Sequence, residues 1–460
     1  MANAKKSKIP HSLVIIVSIM LLACFLTYLI PAGAYDRVKN DAGQTMVDPT
    51  TFHYVDNTPV NPLTVLNYIF PGLTKAASII FCLMCAGGGL GIVLDSNSIQ
   101  SFAGNMARKV KGKEWLVVTL VMVLFALICI PAGFNSWIPF ATVGIVIAGA
   151  LGYDAIVGVS MIMLGGSVGF SCGAMNTSNT GTAQAIAELP ILSGMGYRLF
   201  CMIPFLIVTV LYVVRYAQKT KKDPTKSYVY GLDLGLDHLS TDHIPELQKR
   251  HYPVLFVFAC GLVYLVYVGI KGDLSLSACG TVFTYIGVLC GIAYRMSPND
   301  MAKSYIKGAK GMASTAMMIG FAYGISLILD AGHAMDTIVF HLANILSRVP
   351  AIFQAPVMFF MHIIINFFVT SGSGQAAVTM PIMVPVADLC GISRQTAVLA
   401  FNFGDGFCNF ILPHAAATMG FVGAGNIPFS RWLRFVIRLF AIWVVIGCLL
   451  LMLATVIGYH

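Results

Sequence analysis

Charge is what this chain has least of. Of its 460 residues only 10% are Asp, Glu, Lys or Arg, against 57% hydrophobic, and 19 are acidic. A soluble domain carries roughly 25% charged residues, so the composition excludes a water-soluble globular protein and points to a polytopic membrane protein. Soluble-enzyme signatures are missing too. The chain has no phosphate-binding glycine loop and no zinc-ligand pattern, so no enzymatic activity, cofactor or metal centre is expected. Without a nucleotide-binding domain, ATP-driven transport by this chain alone is not expected either. The 12 cysteines are scattered, mostly within apolar runs, and imply no disulfide framework. Cys82 and Cys85 form a C-x-x-C, but inside a hydrophobic stretch without polar neighbours, and read as packing.

What the chain does have is apolar runs near 12–33, 76–94, 115–131, 155–175, 198–215, 253–271, 276–294, 311–329, 353–370, 395–412 and 431–457. Each is about long enough to cross a hydrocarbon core of roughly 30 Å. The formal net charge is +9, and the basic residues sit mostly in short connections: Lys5, Lys6 and Lys8; Arg108, Lys109, Lys111 and Lys113; Lys219, Lys221, Lys222 and Lys226; Arg348. That is the positive-inside bias of a multi-pass inner (plasma) membrane protein, with the lipid bilayer rather than nucleic acid as partner. Lys5, Lys6 and Lys8 ahead of an apolar run ending Pro31-Ala32-Gly33-Ala34 resemble a signal peptide. The run is long for one and has a counterpart at Val254 to Ile270, so it reads as the first transmembrane helix.

The sequence matches itself at an offset of about 240. Lys75 to Ser78 falls near Lys310 to Ser314, Asn105 and Arg108 on Asn344 and Arg348, Pro139 on Pro381, Gly165 on Gly404, and Pro190 on Pro428. The expected organisation is a first repeat over 1–216, a polar linker over 217–251 and a second repeat over 252–460. Within each repeat a short hairpin (about 132–150; about 371–390) is followed by a polar-broken helix (about 155–187; about 395–425). The hairpin arms are too short to cross the core and read as re-entrant. The fold class is then an all-α polytopic membrane protein of two structural repeats, each with a re-entrant hairpin and a broken transmembrane helix. One run, Leu274 to Arg295, faces a polar loop (Asp36 to Asp56) in the first half; it makes the crossing count even where an inverted repeat needs it odd, so orientation stays open.

Polar backbone survives at membrane depth only where it lines a cavity or packs inside protein. The hairpin tips, Gly133-Phe134-Asn135-Ser136 and Ser371-Gly372-Ser373-Gly374-Gln375, combine turn-forming glycine with donors and acceptors. A helix starting just after a tip aims its N–H groups at the site, which suits a carboxylate. In the first broken helix Asn176, Thr177, Ser178, Asn179 and Thr180 concentrate hydrogen-bonding side chains. In the second, Asp405 is the carboxylate deep in an apolar run, with Asn409 and His414 beyond it. Asn135, Ser136, Asn176, Thr177, Ser178, Ser371 to Gln375, Asn409 and His414 are the candidate substrate contacts. Asp405, Asn179 and Thr180 are the candidate cation-coupling set, able to hold Na+ through oxygen. The blander readings are a structural partner for Asp405 at Asn409, internal hydrogen bonding at His362 and Asn366, and small-residue helix packing at Gly87, Gly88, Gly89 and Gly91.

The strings SGSGQAAVTMPI and ISRQTAVLAFNFGDGFCNFILP, with LGYDAIVGVSMIMLGGSVGFSCG and TAQAIAELPILSGMGYR in the first half, resemble the YfcC-type family. That family is akin to C4-dicarboxylate anaerobic carriers and arginine–ornithine antiporters of the ion transporter superfamily, and the resemblance spans nearly the whole chain. It implies two inverted repeats, a homodimer and an elevator motion. Three places depart from it. Asn135-Ser136 stands where relatives commonly carry Glu-Glu, Asn176-Thr177-Ser178 where they carry Asn-Pro-Phe, and Pro413-His414-Ala415 where Pro-Thr-Ser is usual. Losing two acids removes obvious partners for a dibasic amino acid. The expectation is a secondary transporter, symporter or exchanger, of small carboxylate-bearing metabolites of the amino acid or C4-dicarboxylate type, coupled to Na+ or H+. A basic amino acid antiporter is the alternative. A channel would need a continuous pore, which paired half-membrane hairpins argue against, and a membrane sensor would carry no substrate.

Overall fold

Backbone with no water beside it must satisfy its own hydrogen bonds, and the apolar runs do so as helices. The computed structural model describes residues 12–39, 45–48, 50–131, 133–234, 246–270, 275–346 and 349–460. Helix α1 (Ser12–Leu29) opens the chain. Two short antiparallel ribbons follow, β1 (Gly33–Ala34) with β4 (His53–Tyr54) and β2 (Arg37–Lys39) with β3 (Thr45–Val47). Next come α2 (Ile69–Lys75), α3 (Ala77–Asp95), α4 (Ser98–Lys109), α5 (Glu114–Ile128), α6 (Phe140–Ala150), α7 (Ala155–Cys172), α8 (Thr182–Ile186) and α9 (Met195–Lys222). The second half holds α10 (His251–Ile270), α11 (Leu276–Tyr294), α12 (Pro298–Gly311), α13 (Ala313–Ala331), α14 (Ala334–Leu346), α15 (Ala351–Phe368), α16 (Gly372–Leu389), α17 (Arg394–Cys408), α18 (Ala416–Ala424) and α19 (Phe429–Val456). Helices α12 to α19 thus follow the order of α2 to α9.

Among the described residues seven helical stretches are long and apolar enough to cross a membrane: Ala77–Asp95, Ala155–Cys172, Met195–Lys222, Leu276–Tyr294, Pro298–Ala331, Ala351–Phe368 and Phe429–Val456. The other apolar runs form helices too, from the 15 residues of α5 and α17 to the 20 of α10. Helix α6 has 11 residues, which at about 1.5 Å each covers roughly half of a 30 Å core.

Two packing systems meet in the molecule. In one, α3 packs on α11 and α12, α1 and α2 pack on α13, and α10 packs on α11. Glycine makes the first contact possible. A Cβ on Gly89 would fall on the Phe283 backbone carbonyl, and Gly87 and Gly91 press on Gly308. The small-residue packing expected of Gly87 to Gly91 is what the structure shows. Gly89→Ala should therefore destabilise the protein by about 1–3 kcal/mol through overpacking. Gly311→Ala, where nothing lies within 4 Å, should leave the thermal midpoint unchanged; equal midpoints for both variants would refute the packing argument. In the second system α5 and α6 pack on α7, α7 packs on α17, α15 on α17 and α19, and α16 on α8 and α17.

The structure differs from the sequence reading in several places. The segments 132–150 and 371–390 do not fold as two-armed hairpins; the first holds a 3-10 turn (Phe134–Trp137) and then α6, and the second holds α16, which takes in the tip from Gly372 onward. Helix α16 runs unbroken through Pro381 and Pro385, so no return arm forms there. The run beginning at Leu274 is the helix α11, and the ribbons β1 to β4 replace a plain polar loop at the corresponding place in the first half. Helix α9 extends to Lys222, well into the expected linker. Its described remainder is pinned at Ser227, whose hydroxyl donates to Asp154 at 2.5 Å. Lys5, Lys6, Lys8, Ala132, Leu274 and Arg348 lie outside the described residues.

Candidate functional site

Both broken helices break beside the same cavity. Helix α7 stops at Gly173, in the left-handed region at φ 61°. Extended chain follows to Asn176, whose side-chain oxygen accepts the Asn179 backbone N–H at 3.0 Å and starts a π-helical turn over Thr177–Gly181. Helix α17 stops at Cys408, and the gap to α18 is bridged by the Thr418 hydroxyl, which donates to the Asn409 carbonyl at 2.5 Å. A cavity of about 370 Å³ lies at the two breaks. Its lining takes Gly133 to Ser136 from the first tip, Asn176 and Asn179 from the first break, Thr370 to Ser373 from the second tip, and Asn409, Ala416 and Ala417 from the second break.

Each tip is held by its own chemistry. Phe134 packs edge-on to Phe410 with ring centroids 4.7 Å apart and lies 5.0 Å from Phe421. The Ser136 carbonyl accepts from the Cys279 thiol at 3.3 Å, tying this tip to α11. Ser371 caps α16, its hydroxyl accepting the Gly374 N–H at 3.4 Å. Helices α16 and α18 both begin at the cavity wall, and α18 has no side-chain cap. Two positive helix ends therefore face a lining that, among the described residues, carries no Asp, Glu, Lys, Arg or His. That electrostatic setting favours an anion held by backbone N–H groups and neutral side chains.

Asp405 lies behind this wall, fully buried. One carboxylate oxygen accepts from the Asn179 side-chain amide at 2.6 Å, the other from Asn366 at 2.9 Å. The Asn409 amide donates to the Asp405 backbone carbonyl at 2.8 Å. Asn366 also donates to Gln375 Oε1 at 3.0 Å, and Gln375 donates to the His362 carbonyl at 3.1 Å. Asn179 both lines the cavity and holds the carboxylate, so it is the link between ligand space and buried charge. The side-chain oxygens of Asn179, Asn366 and Thr180 are buried without a hydrogen-bond partner among the described residues. The open oxygens of Asn179 and Asn366 belong to side chains bonded to Asp405, and buried oxygens left open beside a carboxylate are the donor set that a hard monovalent cation uses.

Of the candidates named from sequence, the cavity wall gathers Asn135, Ser136, Asn176, Asn179, Ser371, Gly372, Ser373 and Asn409. The side chains of Thr177 and Ser178 lie outside the described residues. Besides Asp405, four candidates stand off the wall. Gly374 is spent on the α16 cap. Gln375 is buried in the Asn366 and His362 network. Thr180 is buried, with its hydroxyl against Gly173. His414 is buried against Phe367, ring centroids 4.9 Å apart. Asn366, read as internal hydrogen bonding, is bonded to Asp405 itself. Sequence reasoning missed Asn402, Arg198 and Tyr323. Asn402 sits one helical turn before Asp405, a spacing that could have marked it.

Compared with known proteins, the chain matches the family described as DcuC, C4-dicarboxylate anaerobic carrier, over residues 9–456. It is 30% identical to "Putative basic amino acid antiporter YfcC" of Escherichia coli (strain K12), covering 98% of this chain and 97% of that one. It is 22% identical to "Putative short-chain fatty acid transporter" of Haemophilus influenzae (strain ATCC 51907 / DSM 11121 / KW20 / Rd), covering 73% and 69%. A solved structure of Neisseria gonorrhoeae MtrF, described as illuminating a class of antimetabolite efflux pumps, aligns over 97% of this chain and 95% of that one, at 15% identity and a TM-score of 0.44.

Proposed function

This chain belongs to the C4-dicarboxylate anaerobic carrier family, and from that premise we propose that it is a secondary active transporter of small carboxylate-bearing metabolites, of the amino acid or C4-dicarboxylate type. It is a multi-pass inner-membrane protein. The observation that carries the proposal is the uncharged cavity onto which α16 and α18 open their N-termini. A carboxylate placed there gains hydrogen bonds and two favourable helix ends, without a lysine or arginine that would hold it too tightly to release. The family and the relatives are named for C4-dicarboxylates, basic amino acids and short-chain fatty acids, compounds that share a carboxylate. A dibasic amino acid fits less well, because the wall offers no carboxylate to its second cation and Asp405 stands behind Asn179.

Asp405, with Asn179, Asn366 and Thr180, is the proposed coupling site for Na+ or H+. The recurring helix order and the half-length α6 support two inverted repeats with re-entrant tips. In this reading α6 to α8 and α16 to α18 move as an elevator against the glycine-packed α1 to α3 and α10 to α13, within a homodimer. Uptake into proteoliposomes under imposed Na+ and pH gradients tests the function; indifference to both leaves exchange as the mode, and no flux of any carboxylate ends the proposal. Transported carboxylates should raise the thermal midpoint of the purified protein, by about 2.7 kcal/mol of added stability at 100 times Kd. Their amides should not, and equal shifts from acid and amide would count against helix N-termini as the binding element.

A further inference from the structure

Arg198 is the second fully buried charge near the breaks, and transport as described above makes no use of it. It sits in the first turn of α9, just after Gly194, with none of its surface exposed. Its Nη1 donates to Asn402 Oδ1 at 2.5 Å and to the carbonyl of Cys172, the last residue of α7, at 3.5 Å. Nε and Nη2 have no hydrogen-bond partner among the described residues. Among the described residues no Asp or Glu pairs with it, the ion pairs there all involving other basic residues. Tyr459 stands beside it and donates its hydroxyl to the Gly194 carbonyl at 2.7 Å.

Burying a guanidinium without a carboxylate costs several kcal/mol, so a side chain needed only to fill this space would not carry the charge. What surrounds it is a cation's environment. The end of α7 presents the Cys172 carbonyl and the negative pole of an 18-residue helix, and Asn402 adds a side-chain oxygen. Asn402 packs against Gly173, where a Cβ would lie 3.0 Å from its Cγ, so the break in α7 and the position of Asn402 are set together. We propose that Arg198 is a tethered cation: its guanidinium occupies the cation position between the α7 C-terminus and Asn402. It fastens the break to α17 and, on the reading of Asp405 given above, leaves the Asp405 side as the one position for an exchangeable cation. Arg198 is then a positioning residue, acting through Asn402 and α7.

The experiment is thermal unfolding of purified full-length wild type, Arg198→Ala, Arg198→Met and Arg198→Lys in choline chloride, in NaCl, and in choline with about 20 mM guanidinium, far below denaturing strength. Each variant is read as its difference from the wild type in the same salt, which removes any shift due to the Asp405 site, and Arg198→Lys should match the wild type throughout. Arg198→Ala should melt roughly 3–5 °C lower in choline and recover most of the loss with guanidinium or Na+. Arg198→Met, which fills the space without charge, should stay low in every salt. A role in packing alone predicts the reverse, with Arg198→Met as stable as Arg198→Lys and no cation effect on Arg198→Ala; either result overturns the proposal. If Arg198→Ala does not fold, the Met and Lys pair decides. The readout needs no transport, so liposomes that take up no substrate would end the transporter reading and leave this result standing.

Discussion

Asp405→Asn should fold as the wild type does and lose cation-dependent uptake altogether. The substitution keeps the shape of a side chain that is fully buried, and it replaces one acceptor oxygen with a donor. That oxygen faces an amide N–H of Asn179 or Asn366, so the first effect is donor against donor. Both partners have a remedy, because their own side-chain oxygens are unpaired. Either amide can turn and present its oxygen, at the cost of one other bond in the case of Asn366, which also holds Gln375. Stability should therefore change by no more than about 1–2 kcal/mol. The charge has no such remedy. A neutral amide neither attracts a cation nor releases a proton on the path, and the driven rate should fall on the order of 100-fold, equal to about 2.7 kcal/mol. Counterflow of the substrate with no gradient should survive. Uptake by Asp405→Asn that still follows a Na+ or pH gradient would remove Asp405 from the coupling site.

How much of this site could be read in the sequence depends on which interactions were local. Tips, breaks and Asp405 announce themselves as polar residues in apolar surroundings, a contrast that needs no tertiary information. The cavity gathers eight of the named candidates for that reason. Gln375 and His414 carry the same polar signal, yet they point into buried layers on the far side of their elements, and facing is a tertiary property. Asn366 was visible and misjudged: His362 and Asn366 at i, i+4 look like one helix bonding to its neighbour, whereas Asn366 bonds across to Asp405. The hairpin reading failed over 371–390, where one helix, α16, runs on through Pro381 and Pro385. Neighbouring helices at membrane depth supply the contacts that tolerate such prolines. Arg198 was hidden by position. It lies at the edge of an apolar run, where a basic residue ordinarily marks the membrane boundary, and only the approach of α7 and α17 turns that boundary charge into a buried one.

Gly372→Ala should be the most damaging single methyl that can be added to the cavity wall. A Cβ at this position would lie 2.9 Å from Asn179 Cγ and Oδ1 and 3.0 Å from its Nδ2. Those atoms have little freedom to retreat. Asn179 is fixed at its backbone N–H by Asn176 and at its amide by Asp405, and it belongs to a short π-helical turn rather than a long flexible element. The methyl must displace either the start of α16 or Asn179 itself, an overpacking cost of about 1–3 kcal/mol. Both outcomes strike the same function, since one moves a helix end away from the ligand and the other detaches the Asp405 carboxylate from the wall. Transport should drop roughly 10- to 100-fold, the rate equivalent of that cost, with weaker ligand-induced thermal shifts if α16 moves and weaker cation dependence if Asn179 moves. Gly133→Ala is the matched control. It lines the same cavity with nothing within 4 Å of the added carbon and a φ of −61° that alanine accepts, so its stability should be unchanged and its transport within a few-fold of wild type. If Gly372→Ala transports as well as Gly133→Ala, the second tip does not bear on Asn179 during transport, and the joining of ligand space to buried charge through that side chain fails with it.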